Sequence, residues 1–381
     1  MKPTATASWT RAEKLSLGLI TVLLLFVLPL LNALPAQGSS LYLPDFYLNL
    51  FGKFLAYAIL ALGIDLIWGY TGILSLGQGV FFGLGAYVMG MHLMLAIGKQ
   101  SVYQSTLPDF MVWNQVKELP LFWKPFYSFG VTLAGVFLVP ALFALVFGFL
   151  AFRSRIRGVY FAIITQALAL VIWLLFNRNE LNLGGTNGLT DFKTVLGFDL
   201  LSPSTQRGLY ITTVLCLIGS YLLCRWITKS RLGKVLTATR DNEHRVRFSG
   251  YSPANYKLFV FVVSAALAGL AGALYVPQVG IITPSQIGVI PSIEMVIWVA
   301  VGGRGTLAGA VVGAIGVNWA RSFLTTYYPD LWLIFLGALF VGVVLFIPDG
   351  IMGSLRHLRL RRRTTAAPVG KETSPASQRS S

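Results

Sequence analysis

Residues 72–78 read GILSLGQ, and residues 280–286 read GIITPSQ. The two stretches carry Gly, Ile, a small hydroxyl residue and Gln at matching positions, at a constant offset of 208 from 72 to 280 and from 78 to 286. Each stretch follows one apolar run and precedes a second, Gly-rich run. We therefore predict an internal repeat whose two copies interrupt apolar sequence at equivalent places.

The composition predicts an all-α, polytopic membrane protein. The chain has 381 residues, of which 55% are hydrophobic and 12% are charged, whereas soluble domains carry about 25% charged residues. Apolar runs of about 20 residues, the length that spans a bilayer as a helix, recur along the chain. About ten crossings are predicted, at residues 15–34, 51–70, 73–97, 129–152, 158–176, 208–227, 257–279, 289–303, 306–322 and 331–348.

The net charge of +16 reflects topology rather than nucleic-acid binding, because the basic residues lie between apolar runs and at the termini. With Lys2, Arg11 and Lys14 in the cytoplasm, most other basic residues also fall on that side. We therefore expect both termini to be cytoplasmic. In this topology the helix before residue 72 runs inward and the helix before residue 280 runs outward. The repeat is then inverted, a device of transporters.

The predicted architecture is one helix, a four-helix repeat, a linking helix and a second, inverted four-helix repeat. It divides the chain into a cytoplasmic N-terminus at 1–14, a transmembrane domain at 15–355 and a basic, disordered cytoplasmic tail at 356–381 that contacts membrane lipid. The run at 15–34 is also compatible with a signal peptide. It lacks a good cleavage site, so we interpret it as the first helix.

The two interruptions are candidates for the path of a polar solute. Breaks at corresponding positions of two halves indicate where a transporter binds its solute. The candidate side chains in the breaks are Ser75, Gln78, Thr283 and Gln286, and the alternative is that they are helix ends with ordinary turn chemistry. Asp65 and Glu294 lie in or near apolar sequence, where an ionised group must face a cavity or a partner. Asp65 could instead lie near the interface, and Glu294 could cap a half-helix.

A long, charged, helix-like segment occupies residues 229–256, between two apolar runs. It contains Arg240, Arg245 and Arg247, and it ends with Gly250 and Pro253, which stop a helix. A short amphipathic helix between two transmembrane helices would act as a lever that moves both. The alternative is a basic loop resting on anionic lipid.

Nothing in the sequence points to an enzyme, a cofactor or a metal. There is no G-x-x-x-x-G-K-[ST] motif, so this chain does not hydrolyse ATP through a P-loop. The three histidines lack metal-ligand spacing. Cys216 and Cys224 are eight residues apart in one run, too far apart on a helix for a disulfide.

Several stretches identify a family resemblance. They are GYTGILSLGQGVFFGLGAY at 69–87, GGTNGLTDF at 184–192, SRLGKVLTATRDNEHRVRFSGYSPANY at 230–256 and SIEMVIWVAVGGRGTLAGAVVGA at 292–314. With these stretches the chain resembles the LivM-like permeases of bacterial branched-chain amino-acid and urea ABC importers. The stretches PDFMVW, YVPQVGIITPSQ and EMVIWVAVGGRGTL resemble the urea-type branch.

The resemblance implies a location in the bacterial inner membrane and a set of partners. These are a homologous second permease, two cytoplasmic ABC ATPases and a periplasmic substrate-binding protein. It also implies that residues 229–256 couple to the ATPases, through Thr239, Arg240, Asp241, Asn242, Glu243 and Gly250. The E-A-A-x-x-x-G form of the coupling motif is not kept, because Glu243 is followed by His244 and Arg245.

The expected function is therefore ATP-driven import of urea, with branched-chain amino acids as the alternative solute. Urea is small and neutral and suits amide and carbonyl groups, whereas a zwitterion requires a helix N-terminus or a cation for its carboxylate. The sequence shows no clear membrane-embedded cation for that purpose. Two other classes stay open: an ion-coupled secondary transporter using Asp65 and Glu294, and a membrane scaffold that transports nothing.

Overall fold

The computed structural model describes residues 18–35, 39, 41–154, 156, 158–346 and 350–354. Ten apolar helices lie within these residues, each close to a predicted crossing, so the polytopic helical fold is confirmed. They are α1 (Gly18–Ala33), α2 (Asp45–Thr71), α3 (Gln78–Ile97), α5 (Phe129–Arg153), α6 (Val159–Phe176), α7 (Pro203–Lys229), α10 (Pro253–Val279), α11 (Val289–Gly302), α12 (Leu307–Tyr327) and α13 (Trp332–Phe346). The predicted N-terminal segment 1–14 and tail 356–381 lie outside the described residues.

Seven of these helices are long and apolar enough to cross a membrane. The others, α1, α11 and α13, are shorter. The segment at 289–303 forms a helix of 14 residues, about 21 Å long at 1.5 Å per residue. Helix α11 therefore covers only part of the thickness of a hydrocarbon core of about 30 Å.

Helices α2 and α10 show the repeat most directly. Each has 27 residues, and each ends at a glycine in the left-handed conformation: Gly72 with φ 74° and Gly280 with φ 78°. In both cases the glycine N–H closes the last turn onto a carbonyl four residues earlier. An L-residue with a side chain rarely adopts this φ, so glycine ends the helix at the same place in both halves.

The packing of the helices repeats the same symmetry. Helix α10 packs against α3 and α5, and α2 packs against their counterparts α11 and α12. Likewise α3 contacts α5 and α6, while α11 contacts α12 and α13. Helices α2 and α10 also pack against each other at the centre. The predicted arrangement of two four-helix repeats joined by a linking helix, α7, is therefore present.

The bundle has two distinct ends. At one end, which we call the loop end, Gly52 near the start of α2 packs against Gln278 near the end of α10. Here β1 (Leu189–Thr190) pairs antiparallel with β4 (Ile281–Ile282), with Leu189 opposite Ile282. Strands β2 (Thr194–Val195) and β3 (Phe198–Asp199) form a hairpin, and α4 (Asp109–Trp113) lies in the 98–128 loop.

The opposite end carries the charged segment, which forms two helices rather than one. Helix α8 (Arg231–Asp241) ends at Asn242, whose side-chain oxygen accepts a hydrogen bond from Arg245 N and begins α9 (Glu243–Phe248). A side chain that caps a helix start explains why the chain turns here instead of continuing one helix. Gly250, with φ 84°, then ends the pair. We call this the α8 end.

Small residues bring the two repeats into close contact. A Cβ on Gly85 would lie 2.2 Å from Gly269 O, and a Cβ on Gly272 would lie 2.0 Å from Phe82 O. Ser264 packs against Gly63. Helices that lack side chains at the contact can approach backbone to backbone, which is how membrane helices gain packing energy.

We predict that Gly272→Ala destabilises the protein by about 1–3 kcal/mol, the usual cost of overpacking a filled interior. Thermal unfolding of purified protein in detergent measures the effect. Gly219→Ala in α7 is the matched control, because nothing lies within 4 Å of a Cβ built there. Equal melting temperatures for the two variants would contradict the close contact.

Candidate functional site

The two breaks run into the bundle from opposite ends. Residue Gly72 lies beside Arg240 at the α8 end, yet Leu76 N donates to Thr165 Oγ1 of α6 at 3.0 Å. In the second break, Ile282 pairs with Leu189 at the loop end, while Ile287 packs against Gly83 of α3. Each break is therefore an irregular segment that returns toward the middle of the bundle. The predicted run at 73–97 accordingly starts as helix only at Gln78.

The two breaks meet where the following helices begin. Gly79 N in the first turn of α3 donates to Ser292 Oγ in the first turn of α11, at 3.2 Å. A Cβ on Gly79 would lie 3.1 Å from Gln286 O. We call Gln78, Gly79, Gln286 and Ser292 the central site. It places two helix N-termini side by side, and a helix N-terminus carries partial positive charge that attracts an anionic group.

Two predicted side chains at or beside the central site have polar atoms without a partner among the described residues. Gln78 is fully buried, and neither its amide nitrogen nor its amide oxygen makes a hydrogen bond. The hydroxyl of buried Ser75 is also unpartnered. A buried polar group without a partner costs about 1–3 kcal/mol, so such groups are suited to a solute that supplies the missing bonds.

The predicted residues of the second break lie nearer the surface. Thr283 Oγ1 and Ser285 Oγ are 2.5 Å apart. Ser285 is exposed, and Thr283 and Gln286 are half-buried. The structure therefore brings the backbone carbonyl of Gln286 close to Gly79, the residue after Gln78. It leaves a polar strip of the second break, formed by Thr283, Ser285 and Gln286, at least partly exposed.

Glu294 lies two residues beyond Ser292 and is ion-paired. Both of its carboxylate oxygens accept from Arg321 Nη1, at 2.7 and 2.8 Å. Lys53 Nζ lies 5.9 Å from the ring centre of Tyr57, a ring that also packs on Trp298 of α11. A carboxylate in a membrane helix is accommodated by such pairing.

The placement of Lys53 and Arg321 corrects the expectation from the sequence that the chain has no clear membrane-embedded cation. The structure places them inside helices α2 and α12. The sequence already indicated this placement, because Lys53 and Arg321 fall within the predicted apolar runs at 51–70 and 306–322. Membrane-embedded cations are therefore available near the central site.

Asp65 is placed apart from the other five candidates. It is fully buried near the α8 end, where its Oδ1 accepts from Gly305 N at 2.6 Å. Its Oδ2 has no partner among the described residues. Gly305 lies in the turn between α11 and α12, so Asp65 joins α2 to that turn.

The six predicted coupling residues fall into two groups: some contact other helices of this chain, and others lie on its outer surface. Thr239 is buried, and Arg240 donates through Nη1 to Gly69 O of α2 at 2.8 Å. Glu243 accepts from Lys257 of α10 at 2.8 Å and from Arg247 at 3.3 Å. These three residues contact the protein itself.

Two other predicted coupling residues, Asp241 and Asn242, line a groove of about 410 Å³ between α8 and α9, whereas Gly250 is not part of its lining. Its lining consists of Lys234, Val235, Ala238, Asp241, Asn242, Arg245, Val246, Ser249 and Tyr251. Phe248, at the end of α9, is 91% exposed. An aromatic side chain exposed to this degree on a charged surface is a typical anchor for a protein partner. Sequence analysis missed it, although a phenylalanine between Arg247 and Gly250 was a visible signal.

Comparison with known families matches residues 46–344 to the family described as branched-chain amino acid transport system / permease component. The match covers most of the chain and every helix from α2 to α12. The chain belongs to this permease family. The predicted resemblance to LivM-like permeases is therefore confirmed, and membership supports neither the ion-coupled transporter nor the inert scaffold.

Individual relatives of this permease agree with the family match. A high-affinity branched-chain amino acid transport system permease protein LivM from Salmonella typhimurium is 27% identical over 329 residues, covering 80% of this chain and 70% of that protein. BraD from Pseudomonas aeruginosa is 25% identical over 307 residues, covering 78% of this chain and 91% of that protein. LivH from Salmonella typhimurium is 24% identical, also covering 78% of this chain and 91% of that protein. No solved structure matches the permease.

These comparisons favour the branched-chain alternative over urea. The printed names of these relatives all refer to branched-chain amino acids. Nothing in them points specifically to the urea-type branch that the sequence motifs suggested.

We predict that Arg321→Ala destabilises the permease by at least about 1–3 kcal/mol, because Glu294 is left as a buried acceptor without its partner. Thermal unfolding in detergent measures the loss. The double variant Glu294→Gln/Arg321→Gln removes the unpaired charge and should recover much of the stability. Equal stability of Arg321→Ala and wild type would contradict a structural role for the pair.

Proposed function

We propose that this permease forms one half of the pore of an ATP-driven importer for branched-chain amino acids in the bacterial inner membrane. The observation that carries the proposal is the meeting of the α3 and α11 N-termini at the central site, joined by the Gly79–Ser292 hydrogen bond. Two positive helix ends suit the carboxylate of a zwitterionic solute. The relatives named for branched-chain amino acid transport support the same solute class.

The side chains around the central site suit the rest of such a solute. The unpartnered amide oxygen of Gln78 and the hydroxyl of Ser75 are acceptors for an ammonium group. Ile287 and the glycines of α3 supply apolar surface close by. Lys53 and Arg321 add positive charge on the side where Glu294 lies. These features match a molecule with a charged head and an aliphatic body.

The pore requires a second chain. The exposed Ser285 and half-buried Gln286 lie at the surface of this chain, where lipid is a poor partner for polar groups. Helices α5 and α6 also expose most of their apolar surface. We propose that a homologous permease covers the polar strip and completes the path. LivM and LivH are both similar to this chain, which is consistent with a pair of related subunits.

ATP hydrolysis would come from two cytoplasmic ABC ATPases that bind the groove and Phe248 at the α8 end. A substrate-binding protein in the periplasm would deliver solute to the loop end. This orientation follows the excess of basic residues on the α8 side, including Lys229, Arg231, Lys234 and Arg245. Both termini would then be cytoplasmic.

Urea is the second candidate solute, because Ser75, Gln78, Thr283 and Gln286 are all uncharged. A fully buried amide with free donors and an acceptor matches a small neutral amide. The two candidates differ in what they demand of the helix N-termini: a carboxylate uses their charge, and urea does not.

The test is uptake of labelled leucine and labelled urea by cells that lack this chain and are then complemented with it. We expect complementation to restore leucine uptake at least about tenfold. Restoration of urea uptake alone would replace the proposed solute with the second candidate. Restoration of neither, with the complex assembled, would contradict the importer.

Gln78→Leu tests the central site in the same assay. We expect uptake to fall at least about tenfold while thermal stability is unchanged or higher, because the buried amide makes no hydrogen bond with any described residue. Gln100→Leu, at an exposed position near the loop end, is the control. Normal uptake by Gln78→Leu would exclude it from the path.

We predict that Glu243→Lys abolishes most transport and ATPase association while membrane insertion is intact. In the wild type, Lys257 and Arg247 both pair with Glu243. A lysine at this position would repel both cations, so α9 should be displaced from α10. Co-purification of the ATPase and the amount of chain in the membrane fraction are the measurements. Normal association would remove α9 from the docking surface.

A further inference from the structure

Arg240 of helix α8 makes a long-range hydrogen bond to helix α2. Its Nη1 donates to Gly69 O, and its Cγ would lie 2.9 Å from a Cβ on Gly72. The guanidinium therefore crosses from α8 onto the last turns of α2. Its Nε is held by Asp241 Oδ1 at 3.1 Å, which orients it.

One turn before Gly69, α2 is hydrogen-bonded to the turn between α11 and α12 through Asp65. Gly305 N donates to Asp65 Oδ1 at 2.6 Å. A Cβ on Gly69 would lie 2.4 Å from both Asp65 Oδ1 and Gly305 N, so there is no space there for a side chain. The neighbouring Arg304 lies over the Trp68 ring, with 5.8 Å between the guanidinium carbon and the ring centre.

The turn is the end of the half-helix that reaches the central site. Helix α11 runs from Val289 to Gly302, with Ser292 in its first turn and Gly305 just beyond its last. Its backbone at Gly302 packs against Gly309 of α12. A short, closely packed helix moves as a unit, so a displacement at Gly305 reaches Ser292 and its bond to Gly79.

We propose that Arg240 and Asp65 are positioning residues that join helix α8 to the α11 half-helix, so that displacement of α8 moves the central site. This inference rests on the proposed function, because it supplies the route by which an ATPase at the α8 end acts on the solute path. It assigns Arg240 an internal contact rather than one with the ATPase. We call the Arg240–Gly69 and Asp65–Gly305 contacts the joint. The inference places Asp65 in this joint rather than on the solute path.

The buried carboxylate suits this role. Asp65 presents one oxygen to Gly305 and keeps a second, unpartnered oxygen in the same enclosed space. The hydrogen bond between Gly305 N and Asp65 Oδ1, at 2.6 Å, makes α2 and the turn after α11 move together. The free oxygen is an available acceptor for a second arrangement of the turn.

The first experiment compares Arg240→Ala with wild type in the assembled complex reconstituted in liposomes. We expect ATPase subunits to co-purify normally and basal ATP hydrolysis to stay within about twofold. Solute transported per ATP hydrolysed should fall at least about fivefold. Arg207→Ala is the matched control, because Arg207 also donates to a backbone carbonyl, that of Pro203, but within its own helix at the loop end.

Asp65 variants separate the hydrogen bond from the charge. Asp65→Asn keeps an oxygen that accepts from Gly305 N and should retain most of the coupling ratio. Asp65→Ala removes the acceptor and should lower the ratio as Arg240→Ala does. The inference would be overturned if both Asp65 variants lowered the solute transported per ATP hydrolysed while Arg240→Ala kept the wild-type value.

The second measurement does not depend on the solute. Spin labels at Ile290 on α11 and Leu215 on α7, both exposed, report the distance between these helices, with Cys216 and Cys224 replaced by Ala. We expect a non-hydrolysable ATP analogue to shift this distance in the wild-type complex and in Arg207→Ala. Arg240→Ala and Asp65→Ala should abolish the shift.

Two results would overturn the inference. One is an ATP-dependent shift that persists in Arg240→Ala and Asp65→Ala. The other is loss of ATPase co-purification in Arg240→Ala, which would make Arg240 a docking contact. If the wild-type complex transports neither leucine nor urea, the proposed function fails, and the spin-label distances still decide the joint.

Discussion

The structure depends on one constraint: every backbone polar group within a bilayer needs a partner inside the protein. The two breaks would violate it if they faced lipid. Instead Leu76 N is bonded by Thr165 and Gly79 N by Ser292, each from a different helix. The first break is therefore possible because helices of both repeats, α6 and α11, supply its partners, and glycines along α3, α10 and α11 bring the helices close together.

The same packing encloses the central site, where we propose that the solute path lies. Helix N-termini and unpartnered amide and hydroxyl groups lie at the centre, where they are shielded from lipid. Two carboxylates contact α11 and the turn that follows it: Glu294, in the first half of the helix, pairs with Arg321, and Asp65 accepts from Gly305, just beyond the last residue of the helix. The short helix α11 thus links Ser292 of the central site, near its start, to the Asp65–Gly305 contact, just beyond its end.

The coupling segment shows how far sequence reasoning extended. Its charge, its flanking apolar runs and its stop at Gly250 correctly predicted a helical segment between two long apolar helices, although that segment forms two helices rather than one. The direction of each side chain was not predictable. Arg240 and Asp241 are adjacent, yet Arg240 contacts α2 and Asp241 lines the outer groove. The two side chains are also paired with each other, so which further partner each one reaches depends on where α2 packs against α8.

The sequence by itself determined the helical membrane fold, the ten apolar segments, the equivalence of the two breaks and the family. These follow from local properties: apolar length, charge placement and glycine at two matching helix ends. Only the tertiary structure decided that Gly79, beside Gln78, meets the carbonyl of Gln286, that Lys53 and Arg321 lie within helices of the bundle and that Asp65 accepts from Gly305. Those contacts join residues far apart in the chain, such as Asp65 and Gly305 with 240 positions between them. Hydropathy describes each helix separately, whereas the packing of one helix on another sets which of their residues touch.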